Sequence, residues 1–198
     1  MKQIAIVDYG AGNLVSVKKA IDHLGFACSI TADPHEVSCA KKIILPGVGH
    51  FSSTSALTRT GLRAAISESI SRSVPFLGIC VGMQWMFAAS DESSQTPGLA
   101  LFSGSCVRFP ANVKSPHVGW NQLEIKPSSI LFRDLPPAPY VYFTHSYYAP
   151  VHHSTSATCN YAGDFSAAIE RENLFGVQFH PEKSGETGLA LLRNFCAL

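Results

Sequence analysis

Val74-Pro75-Phe76-Leu77 runs into Gly78-Ile79-Cys80-Val81-Gly82, and that into Met83-Gln84-Trp85-Met86-Phe87. A short apolar run before a small–x–nucleophile–x–small pattern reads as a buried strand that turns sharply into a helix. Such a turn lifts one side chain out of the sheet. The glycines remove Cβ atoms that would collide there. A helix N-terminus behind the sulfur would favour thiolate over thiol. Cys80 is the candidate nucleophile.

Upstream, apolar runs alternate with amphipathic ones. Residues 4–8 read as a strand, and Met1-Lys2-Gln3 leads into it without the features of a signal peptide. Residues 15–24 carry Val17, Ala20, Ile21 and Leu24 at helical spacing, with Gly25 as the stop. Residues 27–31 and 42–45 read as strands, 62–70 as a helix and 76–79 as the strand before Cys80. Asp33-Pro34 looks like an N-cap followed by proline at the first helical position. This alternation predicts a parallel sheet with its site at the strand C-termini. From Ser103 to Phe179 the pattern changes to β-like runs broken by Pro and Gly, at 107–109, 121–125, 140–143 and 167–171. These predict antiparallel additions and hairpins on the same sheet. Residues 188–196 predict a closing helix.

A base for the thiol is offered near the other end of the chain. Leu174-Phe175-Gly176-Val177-Gln178-Phe179 reads as a strand leading into His180-Pro181-Glu182. Continued extended backbone would put His180 and Glu182 on one face, and Pro181 disfavours helix at His180. Glu182 would then orient the imidazole while its other nitrogen faces the sulfur. Taken alone, a cysteine is most often a small buried hydrophobe and a histidine a structural residue; the pairing carries the reading.

At 198 residues, with 46% hydrophobic and 15% charged residues, the chain has the size and composition of one globular domain. A net charge of +1 argues against nucleic acid or a polybasic membrane surface as partner. Six dispersed cysteines (28, 39, 80, 106, 159 and 196), with no Cys-x-x-Cys, fit free thiols in a reducing compartment. No metal-ligand spacing appears among the eight histidines. Gly10-Ala11-Gly12 follows the first strand, but the third glycine of a dinucleotide fingerprint would fall at Val15, so that reading fails.

Acyl transfer to a thiolate generates an oxyanion, which backbone N–H groups stabilise. Val81 N–H, just after the nucleophile, is one candidate donor. Pro46-Gly47-Val48-Gly49 offers the second, with Val48 preferred and Gly49 beside it, though an ordinary glycine-rich turn is equally open. Gln84 lies one helical turn from Cys80. Residues 116–121 and 143–147 read as loops rich in aromatic and polar groups, of the kind that carry recognition.

Together these motifs resemble the class I (triad) glutamine amidotransferases. The elbow 78–82 with Gln84, and His180-Pro181-Glu182, carry the resemblance. The segments 8–14, 46–51, 116–121 and 179–184 are similar to the branch serving imidazole glycerol phosphate synthase. Val81 and Val118 depart from the expected Leu and Met. The resemblance implies a flavodoxin-like three-layer α/β fold, a mostly parallel central sheet with antiparallel additions, as a single domain over 1–198. It implies a cytoplasmic glutaminase of histidine biosynthesis with no cofactor and no metal. Cys80, His180 and Glu182 would form the triad. Gln84, Glu92 and the backbone of His145, Ser146 and Tyr147 would bind glutamine. The partner would be the cyclase HisF, a (β/α)8 barrel, met through Asn13, Trp120, Tyr142 and Lys183. Ammonia would pass through it to form imidazole glycerol phosphate and an aminoimidazole carboxamide ribotide, and the glutaminase alone would be nearly silent. A stand-alone Cys–His–Glu hydrolase acting on peptides, or a scaffold subunit without turnover, are the other readings.

Overall fold

The computed structural model describes residues 4–198; Met1, Lys2 and Gln3, expected to lead into the first strand, lie outside the described residues. The first half alternates as the sequence predicts: β1 (Ile4–Val7), α1 (Leu14–His23), β2 (Cys28–Thr31), α2 (Pro34–Ser38), β3 (Lys42–Gly47), α3 (Ser55–Arg59), α4 (Leu62–Ser71), β4 (Phe76–Cys80) and α5 (Val81–Gln84). The second half holds β5 (Phe87–Ser90), β6 (Phe102–Arg108), β7 (His117–Gln122), β8 (Glu124–Ile125), β9 (Tyr140–His145), β10 (Tyr147–Tyr148), β11 (Thr155–Asn160), β12 (Asp164–Arg171), β13 (Leu174–Val177) and α6 (Gly185–Cys196).

The main sheet has the order β2-β1-β3-β4-β13-β12-β11-β8. Its first five strands are parallel, and β12, β11 and β8 add on antiparallel. This is the flavodoxin-like order with an antiparallel extension. The chain grows one way through α1 and back through α2 and α4, so right-handed crossovers put these helices on opposite faces. In agreement, α1 packs with α6, and α2 with α4. Covered on both sides, β1, β4 and β13 are buried along their whole length, which is why they read as continuous apolar runs. At α2 the start follows local chemistry: the Asp33 side chain accepts from His35 N–H, with Pro34 in the first turn.

Four expectations need correction. The segments 116–121 and 143–147, read as loops, lie largely in β7, β9 and β10, with β7 and β9 paired antiparallel from His117 opposite His145 to Gln122 opposite Tyr140. The later strands do not all join the main sheet: β5, β6 and β10 form one small sheet and β7 and β9 another. The run 121–125 is divided between β7, which pairs with β9, and β8, which pairs with β11. Leu123 sits buried at the break, its N–H given to Pro139 O. The helix after Cys80 is a single turn rather than a run to Phe87. The carbonyls of Trp85, Met86 and Phe87 accept instead from amides of residues 99–102, so tertiary hydrogen bonds replace the helical ladder. Among the described residues no helix is long and apolar enough to cross a membrane.

Candidate active site

Cys80 ends β4 at φ 54° and ψ −110°. Positive φ in a residue with a Cβ is strained, worth on the order of 1–3 kcal/mol, and persists only where the surroundings enforce it. They do so here by removing Cβ atoms. One on Gly78 would lie 2.6 Å from the Gly82 carbonyl, and one on Gly82 would lie 2.0 Å from Leu45 O. The elbow is thus pressed onto β3, whose register brings Gly47 opposite Cys80. With only one turn of helix beyond the sulfur, the macrodipole contributes less than a longer helix would.

His180 and Glu182 meet as the sequence predicts, by a different backbone. β13 stops at Val177, and Pro181–Lys183 form a 3-10 turn with His180 extended before it. Proline's fixed φ suits the first position of such a turn. The turn brings His180 Nδ1 to 2.9 Å from Glu182 Oε1, both side chains almost fully buried. His180 N–H donates to Tyr142 O at 3.0 Å. The Ser184 hydroxyl donates to His180 O and accepts from Tyr142 N–H, at 2.7 and 3.0 Å. Glu182 Oε1 also accepts from Asn13 Nδ2 at 3.3 Å, so Asn13, expected at a partner face, supports the carboxylate. Burial disfavours the charged imidazole, but hydrogen bonding and charge from Cys80 and Glu182 outweigh it and push His180 up to about 10. Its Nε2 is buried and makes no hydrogen bond of ordinary geometry to any described residue, which leaves it available to a reacting group. Tyr9, behind the elbow, is held well above the usual phenol range by burial and by the charge of Cys80.

A cavity of about 150 Å³ opens over the sulfur. Cys80, Val81, Gln84, His180, Val48 and Gly49 line it, with Glu92 and residues 144–147. Every residue expected to bind substrate therefore borders one space. Gln84 is constrained: its Nε2 donates to Tyr147 O at 2.8 Å and to Gln178 Oε1 at 3.1 Å, leaving its Oε1 as the free end. Glu92 Oε2 accepts from Phe51 N–H at 2.7 Å. His145 donates through Nδ1 to Tyr147 O at 2.9 Å, and His117 Nδ1 lies 3.2 Å from His145 Nε2. Burial pushes His117 down to about 4 and His145 down to about 3, so both stand neutral behind the cavity wall.

Trp120, Tyr142 and Lys183 gather just outside. Trp120 lies opposite Tyr142 in the β7–β9 pair, their rings 6.1 Å apart, and Lys183 Nζ stands 5.9 Å over the Tyr142 ring. Trp120 and Val118 are more than half exposed. Sequence reasoning missed Gln178, whose Nε2 lies 3.5 Å from Cys80 Sγ. A lone amide inside the apolar run 174–179 was the available signal.

A family model described as glutamine amidotransferase class-I matches residues 5–198. An imidazole glycerol phosphate synthase subunit HisH from Moorella thermoacetica is 48% identical, over 98% of this chain and 94% of its own. A second, from Methanosarcina barkeri, is 44% identical over 98% of both. The solved structure of a glutamine amidotransferase superposes with a TM-score of 0.77 at 14% identity, covering 98% of this chain and 99% of that one, a likeness of fold.

Proposed function

The chain belongs to the class I glutamine amidotransferases, within them to the HisH subunits of imidazole glycerol phosphate synthase, and on that premise we propose that it hydrolyses glutamine through Cys80, His180 and Glu182. The observation that supports this most is the shared cavity: a strained, buried cysteine and a carboxylate-held histidine border one space.

The Cys80 thiol gives up its proton to His180, and the sulfur attacks the side-chain carboxamide carbon of glutamine. The carbonyl π electrons move to oxygen, where Val81 N–H and the 48–49 backbone stabilise the charge. As the tetrahedral species collapses, the C–N bond breaks and His180 protonates the departing nitrogen, giving ammonia and a γ-glutamyl thioester. Water then attacks the thioester with His180 as base, the C–S bond breaks, and glutamate leaves with the thiol restored. Glu182 fixes the Nδ1–H tautomer, leaving Nε2 toward the sulfur. The free Oε1 of Gln84 and the carboxylate of Glu92 are suited to the ammonium end of the substrate, and the backbone of 145–147 to its other polar groups.

The ammonia passes to the cyclase HisF in a heterodimer, for imidazole glycerol phosphate formation in cytoplasmic histidine biosynthesis. Asn13, Trp120, Tyr142 and Lys183 make up the docking face. Acid quench of the working complex during turnover, followed by mass spectrometry, tests the chemistry. A γ-glutamyl adduct on the Cys80 peptide is expected. An adduct on another cysteine, or turnover unaffected in Cys80→Ala, would overturn the assignment.

A further inference from the structure

Tyr147 O can only accept hydrogen bonds, and two side chains use it: His145 through Nδ1 and Gln84 through Nε2. That carbonyl fixes the orientation of Gln84, whose amino end must face it. The second N–H of the same amino group points at Gln178, so Gln178 must present its oxygen there, at 3.1 Å. Its own amino group is then left facing Cys80 Sγ, at 3.5 Å. Reversing either amide would set oxygen against oxygen, or amino group against amino group. Gln84 and Gln178 are both buried, and a buried amide is retained only where its polar ends are matched. The polarity of this chain of bonds therefore starts at a backbone carbonyl and ends as a donor on sulfur.

We propose that Gln178 is a positioning residue for the nucleophile, its Nε2–H donating to Cys80 Sγ so as to stabilise the thiolate and hold it in one rotamer. The proposal rests on the reading of Cys80 as the nucleophile. A donor favours the charged form of the group it faces, and the flanking peptide at φ 54° gives the sulfur a fixed origin. The titratable groups around the sulfur are His180 beyond β13 and Tyr9 beyond β1, with Glu92 and His145 on the cavity walls. None of these is altered by replacing Gln178.

Gln178→Met keeps length and burial and removes the donor; Gln178→Glu keeps the shape and brings an acceptor toward the sulfur. The experiment is the pH dependence of iodoacetamide alkylation of Cys80 in the full chain, quantified on the Cys80 peptide by mass spectrometry, with near-ultraviolet circular dichroism to confirm folding. In Gln178→Met the thiolate midpoint should move up by about one pH unit, and alkylation below the midpoint should slow about tenfold. Gln178→Glu should move it at least as far. A loss of stability alone belongs equally to a packing role; the midpoint shift does not. Folded Gln178→Met with the wild-type midpoint would overturn the proposal while leaving Cys80 as nucleophile. Cys80 inert in the wild type would overturn both.

Discussion

Gly82→Ala is the sharpest structural perturbation of the elbow. A Cβ at Gly82 would stand 2.0 Å from Leu45 O and 3.1 Å from Leu45 C, where ordinary contact begins near 3.4 Å. The obstacle is the backbone of a central strand, not the end of a flexible side chain, so α5 and β3 must separate by about 1.4 Å. Overpacking of this kind costs about 1–3 kcal/mol, occasionally more. Because Gly47 pairs opposite Cys80, the separation also moves Val81 and Val48 relative to the sulfur. A misplacement of about 1 Å costs on the order of a hundredfold in rate. Urea unfolding should therefore show a loss near the top of that range, and glutaminase turnover of the complex should fall about a hundredfold. Gly104→Ala is the control. Its φ is +95°, with open space around the added carbon, so it should lose about 1–2 kcal/mol to backbone strain and keep its turnover. Wild-type stability and turnover in Gly82→Ala would refute the argument that close approach of backbone to backbone holds the nucleophile.

Cys80→Ser should abolish glutamine hydrolysis with the fold intact, and a glutamine-analogue electrophile should label Cys80 and none of the other five cysteines, as read by peptide mass spectrometry. His180→Ala should lose about a hundred- to ten-thousandfold in turnover, because the proposed role of His180 is proton transfer, whereas Glu182→Gln, which still offers an oxygen toward Nδ1, should lose less; equal losses in steady-state assays would argue against orientation as the role of Glu182. His145 is held down to about 3 by burial, so between its ordinary value of 6.5 and that value the unfolded state binds the extra proton. Its share of stability is present above pH 6.5 and is lost as pH falls, at about 1.4 kcal/mol per pH unit, or about 2 kcal/mol by pH 5. Urea titrations should show a flatter dependence on pH in His145→Gln, by about one proton, and an unchanged slope would place the acid sensitivity elsewhere.

The parallel half of the fold was legible because each of its elements is local: a short apolar run, an amphipathic run, a cap. The elbow was legible for the same reason, since Gly78 and Gly82 record backbone contacts made within five residues and against one neighbouring strand. The β7–β9 pair and the β5-β6-β10 sheet were not, because their pairings join residues up to 41 positions apart and nothing in a strand's own pattern names its partner. The His180–Glu182 pair was found through an extended-backbone argument that the 3-10 turn replaces; both geometries bring the side chains together, so the pairing survives the change. Asn13 and Gln178 show the limit most clearly. Asn13 reaches Glu182 across 169 positions and Gln178 reaches Cys80 across 98, and only the folded chain puts either beside its partner.

The most direct test is glutamine hydrolysis by the purified chain alone, with a HisF-type barrel subunit, and with that subunit carrying its own ligand. The account predicts near silence alone, strong ammonia and glutamate release in the liganded complex, and silence again when the complex carries Cys80→Ala. A liganded complex that forms but does not hydrolyse glutamine, or one whose hydrolysis survives Cys80→Ala, would contradict it.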